Sequence, residues 1–225
     1  MDKYEMVLSS YDKILKNINN LKTKPSVELV AISKYHSADK IRALYQHGHR
    51  VFGENYLVEL IEKRKELSDL TDITWYFTGH IQSNKIKAIV NHSSAILSLS
   101  SLKHADKIQR ELDLNNKKEF PVFISINLAN EESKSGIAYA DLEDFKNHIE
   151  ANCPNIKLMG LMAIPPKDCD DRITIYEELR NKCDKIGAHK LSLGMSGDLN
   201  DALKSGSDQV RIGTAIFGER NYDKK

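Results

Sequence analysis

The chain has 225 residues, with 29% charged side chains of both signs and a net charge of +1, so nothing calls for a nucleic acid or an anionic membrane as partner. No apolar stretch approaches the ~20 residues needed to span a bilayer, and the opening Met1-Asp2-Lys3-Tyr4-Glu5 lacks the apolar core of a signal peptide. The three cysteines, Cys153, Cys169 and Cys183, show no CxxC spacing or Cys/His pairing, so a reduced cytoplasmic protein without a metal site is expected.

A helix is expected first. Tyr4, Val7, Leu8, Tyr11, Ile14, Leu15, Ile18 and Leu21 recur at helical spacing, and Thr23-Lys24-Pro25-Ser26 ends the run. Alternation follows. Apolar strands are expected over 27–33, 51–53, 75–78, 95–99, 122–127, 158–164, 190–193 and 209–212. Polar, helix-patterned segments lie between them at 38–47, 56–67, 84–90, 102–112, 140–149, 171–186 and 198–205. Such alternation implies parallel strands joined by crossover helices. Eight units within 225 residues favour a closed (β/α)8 TIM barrel over an open doubly wound sheet. No linker, low-complexity tract or strong repeat divides the chain. One domain over 1–225 is expected, with the first helix outside the barrel.

Barrel sites form at the carboxyl ends of the strands, and Lys34 stands at the end of the first. Its stem could pack there while the ammonium reaches water. Held in a partly dry site near other positive charge, it would instead lose its proton readily and become a nucleophilic amine. Such an amine can form a Schiff base with an aldehyde cofactor. Met195-Ser196-Gly197-Asp198 follows the seventh strand and Arg211-Ile212-Gly213-Thr214 ends the eighth. Phosphate commonly binds at those two loops of a barrel. Gly213 would let the backbone approach it closely, and Ser196 and Thr214 can donate hydroxyls. Taken singly, Ser196 also suits a helix cap and Thr214 a packed strand position. Lysine plus phosphate cradle points to pyridoxal 5′-phosphate.

Arg211 admits two roles, pairing with a rim carboxylate or facing the pyridine nitrogen of that cofactor. In the second role a guanidinium would discourage ring protonation and weaken the electron sink. Asn55 and His80 supply rim polar groups, or satisfy loop backbone. Glu131-Glu132-Ser133-Lys134-Ser135-Gly136 is read as a solvated turn. No Walker loop, GxGxxG or HExxH motif is present.

Assembled, these pieces resemble the pyridoxal phosphate homeostasis protein family. The matching segments are Val30-Ala31-Ile32-Ser33-Lys34, Phe52-Gly53-Glu54-Asn55-Tyr56, Gly79-His80-Ile81-Gln82-Ser83-Asn84-Lys85, Glu132-Ser133-Lys134-Ser135-Gly136, Gly160-Leu161-Met162, Leu193-Gly194-Met195-Ser196 and Val210-Arg211-Ile212-Gly213-Thr214-Ala215-Ile216-Phe217-Gly218. They run in order across nearly the whole chain. The resemblance implies a barrel like the alanine racemase N-terminal domain, with Lys34 as the internal aldimine lysine. It places Ser196, Gly213 and Thr214 around the phosphate and Arg211 toward the pyridine nitrogen. It implies intracellular buffering and delivery of pyridoxal phosphate, with effects on amino-acid and keto-acid pools. Departures are Tyr35-His36 after the lysine, Thr78 where an aliphatic residue is usual, and Gly197 at a more often acidic position.

The alternative is an amino-acid racemase of the alanine racemase type. Those enzymes use two bases, the second from an added β-domain and a dimer partner, whereas this chain ends at Lys225, just after strand eight. Proton abstraction from one face alone gives little net racemisation. A cofactor-free interaction module would leave Lys34 without a purpose. The expectation is therefore a monomeric binding protein without catalytic residues. Its expected partners are pyridoxal phosphate, free amino acids and pyridoxal-phosphate-dependent apoenzymes.

Overall fold

The computed structural model describes residues 3–128, 136–166, 169 and 171–219. Helix α1 (Lys3–Leu21) comes first. Then β1 (Glu28–Ile32) leads to α2 (Ala38–Gln46), β2 (Val51–Glu54) to α3 (Leu57–Glu66), β3 (Thr74–Phe77) to α4 (Ile86–His92), and β4 (Ala95–Leu99) to α5 (Leu102–Leu114). The second half repeats the pattern: β5 (Phe120–Ile126), α6 (Leu142–Asn152), β6 (Ile156–Ala163), α7 (Arg172–Lys185), β7 (Lys190–Ser192), α8 (Leu199–Lys204), β8 (Gln209–Ile212) and α9 (Thr214–Phe217). Neighbouring strands pair in parallel, and β8 returns to β1 with Glu28 opposite Gln209 and Val30 opposite Arg211. The result is the expected closed (β/α)8 barrel.

Strands covered on both faces must be apolar on both faces. β4 meets that demand, with all five residues buried. The larger part of the core lies between strands and helices, around residues such as Phe52, Ile96, Ile108, Tyr176 and Leu191. A smaller cluster of Ala95, Leu97, Phe123 and Met162 fills the barrel interior, with Tyr76 and Met159 packed against it.

The first helix lies outside the barrel. It packs on α2, α8 and α9, burying Val7, Tyr11 and Ile18. Among the described residues only four of helix follow β8, and α1 covers that seam of the outer layer. Tyr11 ties it down, its hydroxyl 3.1 Å from Nδ1 of the buried His49. Nε2 of His49 lies 2.7 Å from the Val51 carbonyl. That acceptor fixes the proton on Nε2 and leaves Nδ1 to accept from Tyr11.

Among the differences from the sequence expectation, two have a clear physical reason. β5 begins at Phe120, ahead of the expected 122, because Pro121 sits as its second residue, where a missing N–H is tolerated near a strand start. The helix Thr214–Phe217 was not expected; four residues are too few to show a period. Thr214 accordingly opens a helix rather than occupying a packed strand position. Among the described residues, no helix is long and apolar enough to cross a membrane. Residues 131–135 of the polar turn, Lys134 included, lie outside the described residues.

Candidate functional site

At the end of β1 the chain turns sharply so that Lys34 faces the barrel mouth. The turn puts Tyr35 in the left-handed region, at φ 65°, a conformation that costs a non-glycine residue about 1–2 kcal/mol. The neighbours hold it there. The Tyr35 N–H donates to Glu59 Oε2 at 2.8 Å. Ser33 donates its hydroxyl to Glu54 Oε1 at 2.5 Å. Lys63 directs its ammonium to the Ser33 carbonyl at 2.8 Å, Glu54 Oε1 at 2.7 Å and Glu59 Oε2 at 2.8 Å. All three of its N–H groups are thereby used. Glu54 is fully buried, and its Oε2 has no hydrogen-bond partner among the described residues. Burial pushes its carboxyl above the usual range, and Lys63 opposes that shift.

The far wall is built from the ends of β7 and β8. Asp198 pins the first loop by accepting from the Met195 N–H at 2.8 Å and from the Tyr176 hydroxyl. Ser196 joins the second loop, its Oγ accepting from the Ala215 N–H at 3.3 Å. A Cβ at Gly213 would stand 3.2 Å from the Ile32 carbonyl oxygen, so glycine there lets the ends of β8 and β1 close up. Arg211 lies across the barrel top, 6% exposed. Its Nη1 donates to the carbonyl and hydroxyl of Ser192, both at 2.7 Å, and Nη2 to the Ala163 carbonyl at 2.9 Å. No ion pair to a carboxylate forms among the described residues. Burial pushes the guanidinium down to about 10, against the field of Asp198, and it stays protonated at neutral pH.

These walls enclose a cavity of about 250 Å³. Lys34, Asn55, Ser196, Arg211, Gly213 and Thr214 line it together, although up to 180 positions separate Lys34 from Thr214. His80 lies outside it. It lines an adjoining cavity of about 230 Å³ that shares Asn55, Thr78, Met162 and Ile164 with the first. Thr78 has a clear local role, because its hydroxyl donates to Asn55 Oδ1 at 2.8 Å. Gly79 lets the rims of β2 and β3 touch, since a Cβ there would stand 1.8 Å from the Asn55 carbonyl oxygen.

Sequence reasoning noted His36 only as a departure and did not count it in the site, yet it lines the main cavity with its ring stacked on Phe217, centroids 5.1 Å apart. Its place two residues after Lys34 was the available signal. It also passed over the Ser33–Glu54–Lys63–Glu59 cluster; the acidic Glu54 at the end of an apolar strand was the clue there.

The cavity fits a small phosphorylated aldehyde. It offers the primary amine of Lys34, the hydroxyls of Ser196 and Thr214, and the buried guanidinium of Arg211. Between α5 and α6, Asp106, His148 and Cys153 bring ligand atoms within 4.8 Å of one another, a grouping that spacing did not reveal. His148 Nε2 pairs with Asp106 Oδ1 at 2.6 Å. Burial first, then the charges of Asp106 and Asp113, push the Cys153 thiol up to about 11.

The alanine racemase N-terminal domain model matches residues 9–221 of the chain. The pyridoxal phosphate homeostasis protein of Bos taurus is 39% identical over 218 residues, covering 88% of this chain and 78% of that one. PipY of Synechococcus elongatus, solved with pyridoxal phosphate bound, superposes with a TM-score of 0.85 at 29% identity, covering 94% of this chain and all of PipY. Alanine racemase of Corynebacterium glutamicum shares the fold alone, with a TM-score of 0.67 at 18% identity, covering 95% of this chain and 62% of the racemase.

Proposed function

The chain belongs to the pyridoxal phosphate homeostasis protein family, built on the alanine racemase N-terminal domain, and on that premise we propose that it binds pyridoxal 5′-phosphate and acts in its intracellular buffering and delivery. The observation that carries the proposal is the convergence of Lys34, Arg211, Ser196 and Thr214 on one cavity. The bound group supplies an aldehyde that bonds covalently to an amine, and a ring that draws electrons from that bond.

Lys34 is the amine that takes the aldehyde, as a Schiff base. Ser196, Gly213 and Thr214 hold the phosphate, and Asn55, anchored by Thr78, borders the ring. Arg211 donates to the pyridine nitrogen and, being a cation, keeps that nitrogen from taking a proton. The site then holds its cofactor without driving carbon chemistry on it, which supports a carrier over an enzyme. Racemisation is the less favoured reading, since the racemases share the fold alone. His80, in the adjoining cavity, borders the path by which free amino acids reach Lys34. Effects on amino-acid and keto-acid pools follow from that exchange. Pyridoxal-phosphate-dependent apoenzymes are the recipients, the cytoplasm is the setting, and the protein acts as a monomer.

The test is electronic absorption of the purified protein with added pyridoxal phosphate. A visible band that is retained on dialysis against buffer and lost on dialysis against amino acids supports the proposal. A protein that stays colourless at saturating cofactor overturns it.

A further inference from the structure

We infer that Glu28, Gln209 and Ser192 form a relay through the barrel interior that sets the position of Arg211, and so are positioning residues of the cofactor site although they lie beneath it. The inference rests on the cofactor reading above.

The relay begins with strand geometry. Side chains two apart on a strand share a face, so Gln209 and Arg211 both point inward from β8, and both are buried. Register sets Ser192 beside Gln209 on one side and Glu28 beside Gln209 on the other. Arg211 Nη1 lies 2.7 Å from Ser192 Oγ. Ser192 Oγ lies 2.7 Å from Gln209 Oε1. Gln209 Nε2 lies 2.5 Å from Glu28 Oε2. Tyr76 closes the far end, its hydroxyl 3.3 and 3.4 Å from the two Glu28 oxygens.

The ends of the relay dictate its direction. A guanidinium only donates and an ionised carboxylate only accepts. Glu28 must therefore face the Gln209 amide nitrogen, which turns Oε1 toward Ser192. Ser192 then spends its one proton on Gln209 and offers lone pairs to Arg211. The three relay bonds, Arg211 to Ser192, Ser192 to Gln209 and Gln209 to Glu28, all run toward Glu28, and bonds aligned in this way polarise one another. The cation has no carboxylate partner of its own among the described residues, so this relay is how the barrel's interior carboxylate reaches it. Without Glu28 the Gln209 amide can flip, Ser192 can turn its proton toward Arg211, and the guanidinium loses one of its three acceptors, the Ser192 hydroxyl, while the Ser192 and Ala163 carbonyls remain.

The experiment compares two ligands on wild type, Glu28→Gln and Ser192→Ala. One is pyridoxal phosphate; the other is its carbocyclic analogue, in which C–H replaces the ring nitrogen. Glu28→Gln keeps the shape and removes the charge that enforces the direction; Ser192→Ala asks the same question should that variant fold poorly. Both variants are expected to bind pyridoxal phosphate about three- to tenfold more weakly, as for one neutral hydrogen bond, and to bind the analogue as wild type does. The 15N resonance of ring-labelled cofactor should move in both. Equal losses for the two ligands, or no loss for either, overturns the relay. Failure of wild type to bind either ligand is a different result: it removes the cofactor reading and the relay's role with it.

Discussion

Lys63 Nζ stands 2.7 Å from Glu54 Oε1, and the two side chains are 7% and 0% exposed. Removing one partner of such a pair strands the other charge away from water, at about 3–5 kcal/mol. Lys63→Met should therefore destabilise the barrel by that amount. It should also loosen the turn that presents Lys34, because the Ser33 carbonyl and Glu59 lose their donor. Urea unfolding and cofactor affinity measured together check this. A loss below about 1 kcal/mol, the scale of an exposed pair, would show that the pair is not the keystone of the turn.

Lys34→Ala should abolish covalent capture of pyridoxal phosphate. Borohydride reduction of the loaded protein followed by peptide mapping should mark Lys34. Minor labelling at Lys85 or Lys134 is compatible with this, since capture needs only an amine within reach. Labelling chiefly at another lysine would assign the site elsewhere.

Ser196→Ala and Thr214→Val should weaken cofactor retention without unfolding the chain. A hydroxyl hydrogen bond to a charged group contributes about 1.5–3 kcal/mol, or roughly one to two decades in affinity. Pyridoxal without phosphate should bind more weakly to wild type and respond less to either change. Equal losses for both vitamers would remove these hydroxyls from the phosphate.

His49 gives the fold an acid limb. Burial lowers its pKa from 6.5 to about 4, so the unfolded chain binds its proton more readily than the folded one. Stability from this group is complete above about pH 6.5 and is lost as pH falls toward about 4. The gap corresponds to about 3 kcal/mol. A His49→Gln variant should show a shallower decline over that window, by about one proton. Tyr11→Phe should cost about 1–3 kcal/mol at pH 7, because Nδ1 is left buried without a donor. An unchanged slope in His49→Gln would place the titration on another group.

In deuterated water, the loaded protein with L-alanine should exchange the Cα proton slowly or not at all. Arg211 faces the cavity where a carboxylate would be needed to protonate the ring. NMR of the Cα proton is the measurement. Exchange at about 1 s⁻¹ or faster, within the range of ordinary enzyme turnover, would establish catalysis in place of carriage.

The strand–helix alternation, and the strand ends near which Lys34, Ser196, Arg211, Gly213 and Thr214 lie, were legible from residue pattern alone. Buried parallel strands must be apolar on both faces, and barrel loops gather at one rim whatever their distance in sequence. The helix Thr214–Phe217 was too short to carry a period, and Pro121 disguised the start of β5. Two kinds of fact belonged to the tertiary structure. One was which of the polar rim residues share a cavity: Asn55 does so with Lys34, whereas His80, also at the rim, opens into the adjoining space. The other was what supports the site. Glu28, Ser192 and Gln209 look unremarkable within three separate strands, and Ser33 and Lys63 do not announce the partnership they make with Glu54. Their meaning is set by closure of β8 on β1 and by the packing of α3, because a hydrogen bond depends on distances of a few ångströms between atoms that the linear chain holds far apart.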